Sequence, residues 1–335
     1  MSEYHRNETT RSQRVPFFSV IIPVHNKENH IERSILSVLQ QEYSDFELII
    51  VDDASTDRSV QKIVQFGDER IRVLRRDTPG AGGYAARNLG IAHALSEWIL
   101  FLDADDEWLP GHLTHMFLFI RQNPSAAMVS CGQRIVTLSG QSVYDCYWRK
   151  NKHRDGHWIS PSRFFRESTN GCRPVQTDTV CLFKPSLPDL SVFPEWLERG
   201  GDLFAWAKLV LCLQGLYWSR HVGSISYRNA DNMVSRTSNY SASWIEAHLR
   251  ELKPLANSEA TGFFSDYINY LVLVYWKNAM TRDIKPERTA HLIDFSGNLF
   301  YALAVFLRVG IPFPLAHTIT KFARRMLRSY RSIFH

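Results

Sequence analysis

A short apolar strand that ends in a cluster of acids constrains this chain more than any other stretch. Residues 97–110 read EWILFLDADDEWLP, and the apolar run Trp98–Leu102 is bounded by polar residues. This pattern is typical of a buried strand in a parallel sheet. Acidic side chains at the carboxyl end of such a strand lie where open α/β sheets bind their ligands.

Asp103 and Asp105 are two residues apart, so in an extended backbone they point to the same side. Two carboxylates on one side repel each other unless a cation lies between them. Magnesium and manganese ions prefer oxygen ligands and often carry substrate phosphates, so we expect a divalent metal at this pair. The alternative is a solvated acidic turn that caps a helix beginning near Pro110.

Strands and helices alternate through the first half of the chain. Apolar runs at Phe17–Val24, Phe46–Val51 and Ile71–Leu74 predict further strands, and the amphipathic stretches between them predict helices. This alternation predicts an α/β fold with a doubly wound, mostly parallel sheet. From about residue 241 the spacing of apolar residues is helical, which predicts a C-terminal helical extension. The predicted helices are Asn29–Gln41, Arg58–Phe66, Tyr84–Leu95, Asp202–Gln214, Trp244–Leu252 and Gly262–Met280. Two further strands are predicted at Leu216–Ser219 and Ile225–Tyr227.

Composition narrows the class of protein. A chain of 335 residues with 22% charged residues and a net charge of +5 is ordinary for a soluble globular protein. Its five cysteines form no C-x-x-C pair, so we expect reduced thiols rather than a disulfide framework or a zinc site. We expect no signal peptide, and the longest apolar run, Leu299–Leu307, is far shorter than the roughly 20 residues of a membrane-spanning helix.

The end of the chain has the pattern of a basic amphipathic helix. Such helices commonly lie on an anionic membrane surface, which we expect as a partner. The alternative is a helix that packs on its own domain with a solvated basic face. No recognised nucleic-acid module accompanies the basic residues, so we expect no nucleic-acid partner. The apolar positions are Leu315, Ile319, Phe322, Met326, Tyr330 and Ile333, with Lys321, Arg324, Arg325, Arg328 and Arg331 between them.

Four short motifs occur in order at predicted strand ends and helix starts. They are PVHN at 23–26, VDDASTD at 51–57, ARNLG at 86–90 and LDADD at 102–106. Each is weak alone, but together they resemble the inverting family 2 glycosyltransferases of the GT-A type. The resemblance is clear over roughly residues 17–130, weaker to about 240, and absent from the C-terminal helices.

The resemblance implies a pocket for a nucleotide-sugar donor. Pro23, His25 and Asn26 would line the nucleotide, although the family usually has an aromatic residue where His25 stands. The alternative for His25 is an ordinary polar turn. Asp53 would accept a hydrogen bond from the base, so a uridine or thymidine donor fits better than a cytidine donor.

The resemblance also implies the groups that meet the donor diphosphate. Asp103-Ala104-Asp105 matches the family's D-x-D motif, in which Asp105 would bind the metal directly. Asp103 would lie near the ribose or a metal-bound water, and Ala104 would lie beside the donor. Arg87 would pair with a phosphate or the donor sugar; the alternative is an exposed helix arginine. The Mn²⁺ or Mg²⁺ would neutralise the departing nucleoside diphosphate.

An inverting transfer needs a general base that takes the proton of the attacking hydroxyl. The best candidate is Asp202, which follows Gly200-Gly201 and opens a predicted helix. Nearby N–H groups at a helix start keep a carboxylate ionised. The alternative is that Asp202 is only an N-cap, with Glu198 and Glu195 as the next candidates for the base.

Two features depart from the family's usual patterns. Ala230 stands where a histidine often follows the Tyr227-Arg228 segment, so any role of that histidine is lost or has moved to Asn229 or Asn232. No Q-x-x-R-W sequence, the mark of processive synthases, follows Asp202. We therefore expect one sugar to be transferred per encounter.

The resemblance thus implies a metal-dependent inverting transferase that moves a single sugar, from a UDP-sugar or a similar donor, to a saccharide or lipid-linked acceptor. We expect a role in cell-surface polysaccharide or glycoconjugate synthesis, at the cytoplasmic face of the membrane. A nucleotidyltransferase is an alternative, but its glycine- and lysine-rich phosphate loop after the first strand is missing. A catalytically degenerate binding or scaffold subunit is another; the intact Asp53, Asp103, Asp105 and Asp202 argue against it.

The predicted organisation follows from these assignments. Residues 1–14 form a polar, disordered tail. Residues 15–240 form the catalytic domain, with a nucleotide-binding half (15–130) and an acceptor half (131–240). Within the latter, residues 140–180 are rich in basic and aromatic residues, which suits a polar binding surface better than a core. Residues 241–335 form the helical extension.

Overall fold

The computed structural model of the chain describes residues 15–154, 156–228, 230, 239–282, 284–287 and 289–309. The predicted tail at 1–14 and the basic helix at 315–335 lie outside these residues. The strands are β1 Phe18–Val24, β2 Phe46–Asp53, β3 Ile71–Arg76, β4 Trp98–Phe101, β5 Glu107–Trp108, β6 Met128–Val136, β7 Ser142–Tyr144, β8 His157–Ile159, β9 Cys181–Phe183 and β10 Leu216–Tyr227. The α-helices are α1 Ile31–Leu39, α2 Ser59–Ile63, α3 Tyr84–His93, α4 His112–Gln122, α5 Cys146–Asn151, α6 Pro161–Thr169, α7 Gly201–Cys212, α8 Ala242–Ala247, α9 Ser258–Arg282 and α10 Leu299–Val309.

The described strands form one sheet in the order β3-β2-β1-β4-β9-β6-β10-β5, with β7 on β6 and β8 on β10. Strands β3, β2, β1 and β4 are parallel neighbours, as are β6 and β10. Strand β9 runs antiparallel between β4 and β6. The chain passes from β1 to β2 and β3 on one side and returns to β4 on the other, so the carboxyl ends of these strands border a crevice. The predicted α/β fold is confirmed.

The central strands are apolar on both faces because helices cover both faces of the sheet. Val20 and Ile22 of β1 pack into one hydrophobic cluster with Ile35 of α1. Ile21, between them, points to the other side and packs with Ile91 of α3. This alternation fixes the register of β1, and thereby the edge at which its polar end lies.

Two strands predicted separately at 216–219 and 225–227 are one strand, β10. Its pairing with β6 shifts register between Ser219 and Val222 and again between Val222 and Ser224. These irregularities interrupt the alternation of apolar residues without ending the strand, which is why the sequence suggested two strands.

The expectation of a polar surface at 140–180 is wrong for its helical part. Phe164 and Phe165 of α6 are buried, and the Phe165 ring packs on Phe264 and Tyr267 of α9 at centroid distances of 5.1 and 5.3 Å. The segment has few apolar residues, but α6 places them together on one face. It therefore contributes to the core.

The expectation of five reduced thiols is wrong for two of the cysteines. Cys146 at the start of α5 and Cys172 form a disulfide, with Cα atoms 4.9 Å apart and a sequence separation of 26. Their pairing depends on how α5 packs beside the segment after α6, which no sequence spacing reveals. Cys131 and Cys181 are buried free thiols, and Cys212 is exposed.

The C-terminal helices share the core of the sheet domain. Trp244 of α8 is fully buried, and its Nε1 donates to the Gly200 carbonyl at 3.1 Å. Leu271 and Val272 of α9 belong to the same hydrophobic cluster as Ile21. Among the described residues, no helix is both long enough and apolar enough to cross a membrane.

Candidate active site

A cleft of about 510 Å³ opens along the carboxyl ends of the parallel strands. Nearly all of the predicted site residues lie on its walls. Asn26 is the exception among the described residues: its side-chain Oδ1 accepts a hydrogen bond from the Thr56 N–H at 2.8 Å, outside the cleft. The predicted residues in the cleft are Pro23, His25, Asp53, Arg87, Asp103, Ala104, Asp105 and Asp202.

Asp53 ends β2 at one side of the cleft and is almost fully buried. Its carboxylate pairs with Arg76 and accepts a hydrogen bond from the Gly80 N–H at 3.0 Å. His25 donates from Nδ1 to the Asp53 carbonyl at 2.7 Å. A carboxylate has about four acceptor positions, so Asp53 is fixed in place and can still accept a hydrogen bond from a ligand.

Arg87 of α3 lies on the floor of the cleft. It is buried, so the alternative of an exposed helix arginine is wrong. Its guanidinium pairs with Asp103 and donates to the Gly82 carbonyl at 2.9 Å. Burial opposes its charge, yet the Asp103 carboxylate raises the pKa of Arg87. Gly82 and Gly83 have φ angles of 60° and 70°, a left-handed turn that glycine adopts without strain.

Asp105 has a cationic partner of its own. Lys27 donates from Nζ to its Oδ2 at 2.7 Å, and both side chains are largely buried. The repulsion expected between Asp103 and Asp105 is therefore relieved within the chain by Arg87 and Lys27. Lys27 was not predicted as a site residue, because its position three residues after β1 gives no signal of this contact.

Asp103 instead forms a tight cluster with two acids that were not predicted as site residues. Carboxylate oxygens of Asp103, Asp106 and Asp178 lie within 4.8 Å of one another. Asp178 accepts hydrogen bonds from the Asp103 N–H at 2.9 Å and from Gln133 Nε2 at 2.8 Å. Asp106 accepts from the Tyr227 N–H at 2.7 Å. Asp106 belongs to the acidic run, whereas Asp178 is 75 residues beyond Asp103 in sequence. The two residues meet because β9, which follows Asp178, pairs with β4.

The electrostatics of this cluster suit a cation. Burial first, and then the charge of Asp105, raise the pKa of Asp106 to about 7. Burial and the charge of Asp106 raise the pKa of Asp178 well above its ordinary value. Crowded carboxylates of this kind supply only oxygen ligands, which is the donor set that Mg²⁺ and Mn²⁺ prefer. The residues present therefore fit a divalent metal, with Asp103, Asp106 and Asp178 placed to hold it. Asp105 would become a metal ligand only if its ion pair with Lys27 were broken. Its assignment as a direct metal ligand stays a prediction.

Asp202 lines the cleft from the first turn of α7. The alternative of an N-cap is wrong, because the N-cap is Gly200, in a left-handed conformation with φ 80°. The turn is held by the Gly201 N–H, which donates to Tyr84 Oη at 3.0 Å. Glu195 and Glu198, the other candidates for the base, are not among the described residues that line the cleft.

Further basic and aromatic residues line the cleft. Arg173, Arg199, Arg228 and Tyr240 line it, and the Arg199 guanidinium lies 4.2 Å from the centre of the Tyr240 ring. Ala230, at the position where the family often has a histidine, is buried. Asn229 and Asn232 lie outside the described residues.

The fold is similar to that of a solved structure. The structure matches that of Staphylococcus aureus TarS 1–349 in complex with UDP-GlcNAc, with a TM-score of 0.67 and 19% sequence identity over 92% of each chain. At this identity the likeness establishes the fold, which is that of the GT-A type.

The sequence comparison agrees with the fold. The family model for glycosyl transferase family 2 matches residues 19–177, a little under half of the chain. The resemblance seen in the four motifs is thereby confirmed.

Two relatives illustrate how far the similarity extends. An uncharacterised glycosyltransferase of Haemophilus influenzae is 41% identical over 110 residues, which are 32% of this chain and 44% of that protein. The Escherichia coli UDP-Glc:alpha-D-GlcNAc-diphosphoundecaprenol beta-1,3-glucosyltransferase WfgD is 39% identical over 171 residues, 51% of this chain and 63% of that protein. The chain thus spans about half the length of the curated relatives that it matches.

Proposed function

We propose that this protein is a metal-dependent, inverting glycosyltransferase that moves a single sugar from a nucleotide-sugar donor, a UDP-sugar, to a saccharide or lipid-linked acceptor. One observation carries the proposal: a single cleft gathers Asp53, the D-x-D segment and Asp202 in a chain that the family 2 model matches. The UDP-GlcNAc complex of TarS and the UDP-Glc donor named for WfgD support the choice of UDP. The diphosphoundecaprenol acceptor named for WfgD supports a lipid-linked acceptor and a role in cell-surface polysaccharide or glycoconjugate synthesis.

The donor would lie along the strand ends. Asp53, held by Arg76 and Gly80, accepts the N–H of the uracil ring, while Pro23 and His25 border the nucleoside. The backbone at Gly82 and Gly83 allows a diphosphate to approach closely. Asp103, Asp106 and Asp178 would hold a divalent metal, which would supply Lewis-acid stabilisation of the departing diphosphate.

Asp202 would act on the acceptor. Its carboxylate takes the proton of the acceptor hydroxyl as the oxygen attacks the anomeric carbon and the nucleoside diphosphate leaves from the opposite face. One C–O bond forms as another breaks, so the configuration inverts. The first turn of α7 holds this carboxylate at the wall of the cleft.

We place the protein at the cytoplasmic face of the membrane as a peripheral protein. The basic residues between 315 and 335 support contact with an anionic lipid surface, because each Lys or Arg near such a surface contributes about 1 kcal/mol.

The test is nucleoside-diphosphate release from a panel of nucleotide sugars, with manganese and with a chelator. Transferases of this kind hydrolyse their donor slowly without acceptor, so we expect manganese-dependent release from one UDP- or dTDP-sugar. If no nucleotide sugar of the panel released its nucleoside diphosphate, and calorimetry showed no metal-dependent UDP binding, the proposal would be contradicted and the scaffold alternative favoured.

A further inference from the structure

One cation of the cleft, Arg173, has no counter-ion in contact with it among the residues that the structure describes. Lys27 and Arg87 are paired with Asp105 and Asp103, and Arg76 beside the cleft is paired with Asp53. In the described part of the chain, the guanidinium of Arg173 makes no hydrogen bond and no ion pair, although it lines the cleft and is half-buried. A charge that is partly removed from water without a partner is costly, which suggests that an anion completes this position.

The surroundings of Arg173 place it at the acceptor end. Arg173 and Asp202 line the same cleft: burial works against the guanidinium charge, and the Asp202 carboxylate raises the pKa of Arg173. Asp53 is the last residue of β2, and from β2 the sheet passes through β1 and β4 before it reaches β9. Strands lie about 4.8 Å apart, so Asp53 and the β9 side of the cleft are separated by about 14 Å. Arg173 belongs to the segment that leads into β9, on the side away from the nucleoside.

The covalent frame around Arg173 limits its movement. The preceding residue, Cys172, is joined to Cys146, and Val175 is buried in the core. The side chain therefore projects from an anchored backbone, as a residue that positions a ligand should.

We propose that Arg173 is the anchor of an acceptor subsite that binds a phosphate group, so that the acceptor is a phosphate-bearing one whose reactive hydroxyl lies at Asp202. This inference rests on the proposed function and names the class of its acceptor. A planar guanidinium can hold a phosphate through two parallel hydrogen bonds. Arg199, stacked on Tyr240 in the same cleft, adds positive charge to the subsite.

The experiment measures binding of farnesyl diphosphate by calorimetry to protein saturated with UDP and excess manganese, which fills the donor site. Farnesol is the uncharged comparison, and glycerol 3-phosphate separates a phosphate polymer from a lipid diphosphate as the source of the anion. The variants are Arg173→Gln and Arg173→Met. The matched control is Arg121→Gln, an exposed arginine on α4.

We expect the wild type and Arg121→Gln to bind one of the two anions but not farnesol, and both Arg173 variants to bind that anion at least tenfold more weakly. UDP affinity shows that each variant is folded, and a wild type that does not bind UDP contradicts the proposed function instead. Equal anion affinity in wild type and variants, or no anion binding by the wild type, overturns the inference. So does a variant that changes only the pH profile of donor hydrolysis, because Arg173 would then act solely on Asp202.

Discussion

At the scale of single residues, the chemistry depends on whether Asp202 is a base. Replacing it by asparagine keeps its size but removes the proton acceptor. Because general-base catalysis typically contributes 10²–10⁴-fold, we expect sugar transfer by Asp202→Asn to fall by about that factor. Since Asp202 belongs to α7 and not to the strand ends where UDP is proposed to bind, UDP binding should be unchanged. Single-turnover transfer and UDP calorimetry measure the two quantities.

The control for Asp202→Asn is Glu198→Gln, which changes an exposed acid near the start of the same helix. We expect it to transfer at the wild-type rate. Unchanged turnover of Asp202→Asn would remove Asp202 from the mechanism, and equal losses in both variants would indicate a general effect of charge.

Residues next to strand ends could be predicted, whereas partners from distant elements could not. Asp53, Asp103 and Asp105 follow apolar runs, and the rule for parallel sheets places such residues at one edge. Asp178 precedes a short strand by three residues, and it meets Asp103 only because β9 inserts beside β4. That insertion is a property of the sheet order, which no local pattern encodes.

At the scale of secondary-structure elements, close packing of α3 on β1 depends on one glycine. A Cβ atom at Gly90 would lie 2.5 Å from Cγ2 of Ile21. We expect Gly90→Ala to lower the free energy of unfolding by about 1–3 kcal/mol, the usual cost of overpacking a core. Urea unfolding measures it.

The matched control is Gly262→Ala in α9, where a Cβ atom would meet nothing within 4 Å. This change should stabilise the protein by about 0.5–1 kcal/mol, because alanine loses less conformational freedom than glycine in a helix. A Gly90→Ala variant as stable as Gly262→Ala would show that α3 can move away from β1 without cost.

A histidine stack between α4 and β10 gives the fold a pH dependence. The His221 ring stacks on His115 at 4.2 Å and on His112 at 5.8 Å. Burial, and then the neighbouring His115, lower the pKa of His221 from 6.5 to about 4. Burial also lowers the pKa values of His112 and His115. Among the described residues, neither ring nitrogen of His112 has a hydrogen-bond partner.

The direction of the change in stability with pH follows from the difference in proton binding between the folded and unfolded states. Below about pH 6.5 the unfolded chain binds protons that the folded stack does not, so stability is full above that pH and is lost as the pH falls toward 4. Urea unfolding at pH 7.5, 5.5 and 4.5 should show this loss, and His221→Phe should reduce its slope. His93→Phe, at an exposed position, is the control and should keep the wild-type slope. Identical slopes in wild type and His221→Phe would contradict the assignment.

The elements themselves were predictable to different degrees. Strands β1, β2 and β4 are continuous apolar runs, since helices cover both faces, and their positions follow directly from the sequence. Strand β10 could not be recognised as one element, because its register shifts break the pattern. Helix α6 has too few apolar residues for a sequence-based core assignment. Its burial results from packing against α9, which begins about 95 residues later in the chain.

At the scale of the whole molecule, α10 is apolar on two opposite faces. One face packs in the core through Ala302, Val305 and Val309. The other face lies in solvent, where the Phe300 side chain is 85% exposed. Exposed apolar surface of this kind marks an interaction site. Around Phe300 the exposed side chains are Phe295, Leu299, Leu303 and Phe306.

The sequence beyond α10 indicates the surface that this face meets. Residues 310–335 include five lysines and arginines, Lys321, Arg324, Arg325, Arg328 and Arg331, and no acidic residue. Aromatic and leucine side chains next to such a cationic stretch suit the headgroup region of an anionic bilayer. The peripheral membrane contact proposed above would then involve the exposed face of α10 as well as the basic end of the chain.

We therefore expect the full chain to float with vesicles that contain phosphatidylglycerol and to bind poorly to pure phosphatidylcholine. The double variant Phe300→Ser, Leu303→Ser should bind at least about tenfold more weakly, because burial of each side chain contributes about 1.5 kcal/mol or more. Leu138→Ser, at a position 72% exposed in the turn after β6, is the control and should bind like the wild type. Wild-type binding by the double variant would show that α10 stays outside the bilayer. If deletion of residues 310–335 also leaves binding intact, neither segment is the anchor.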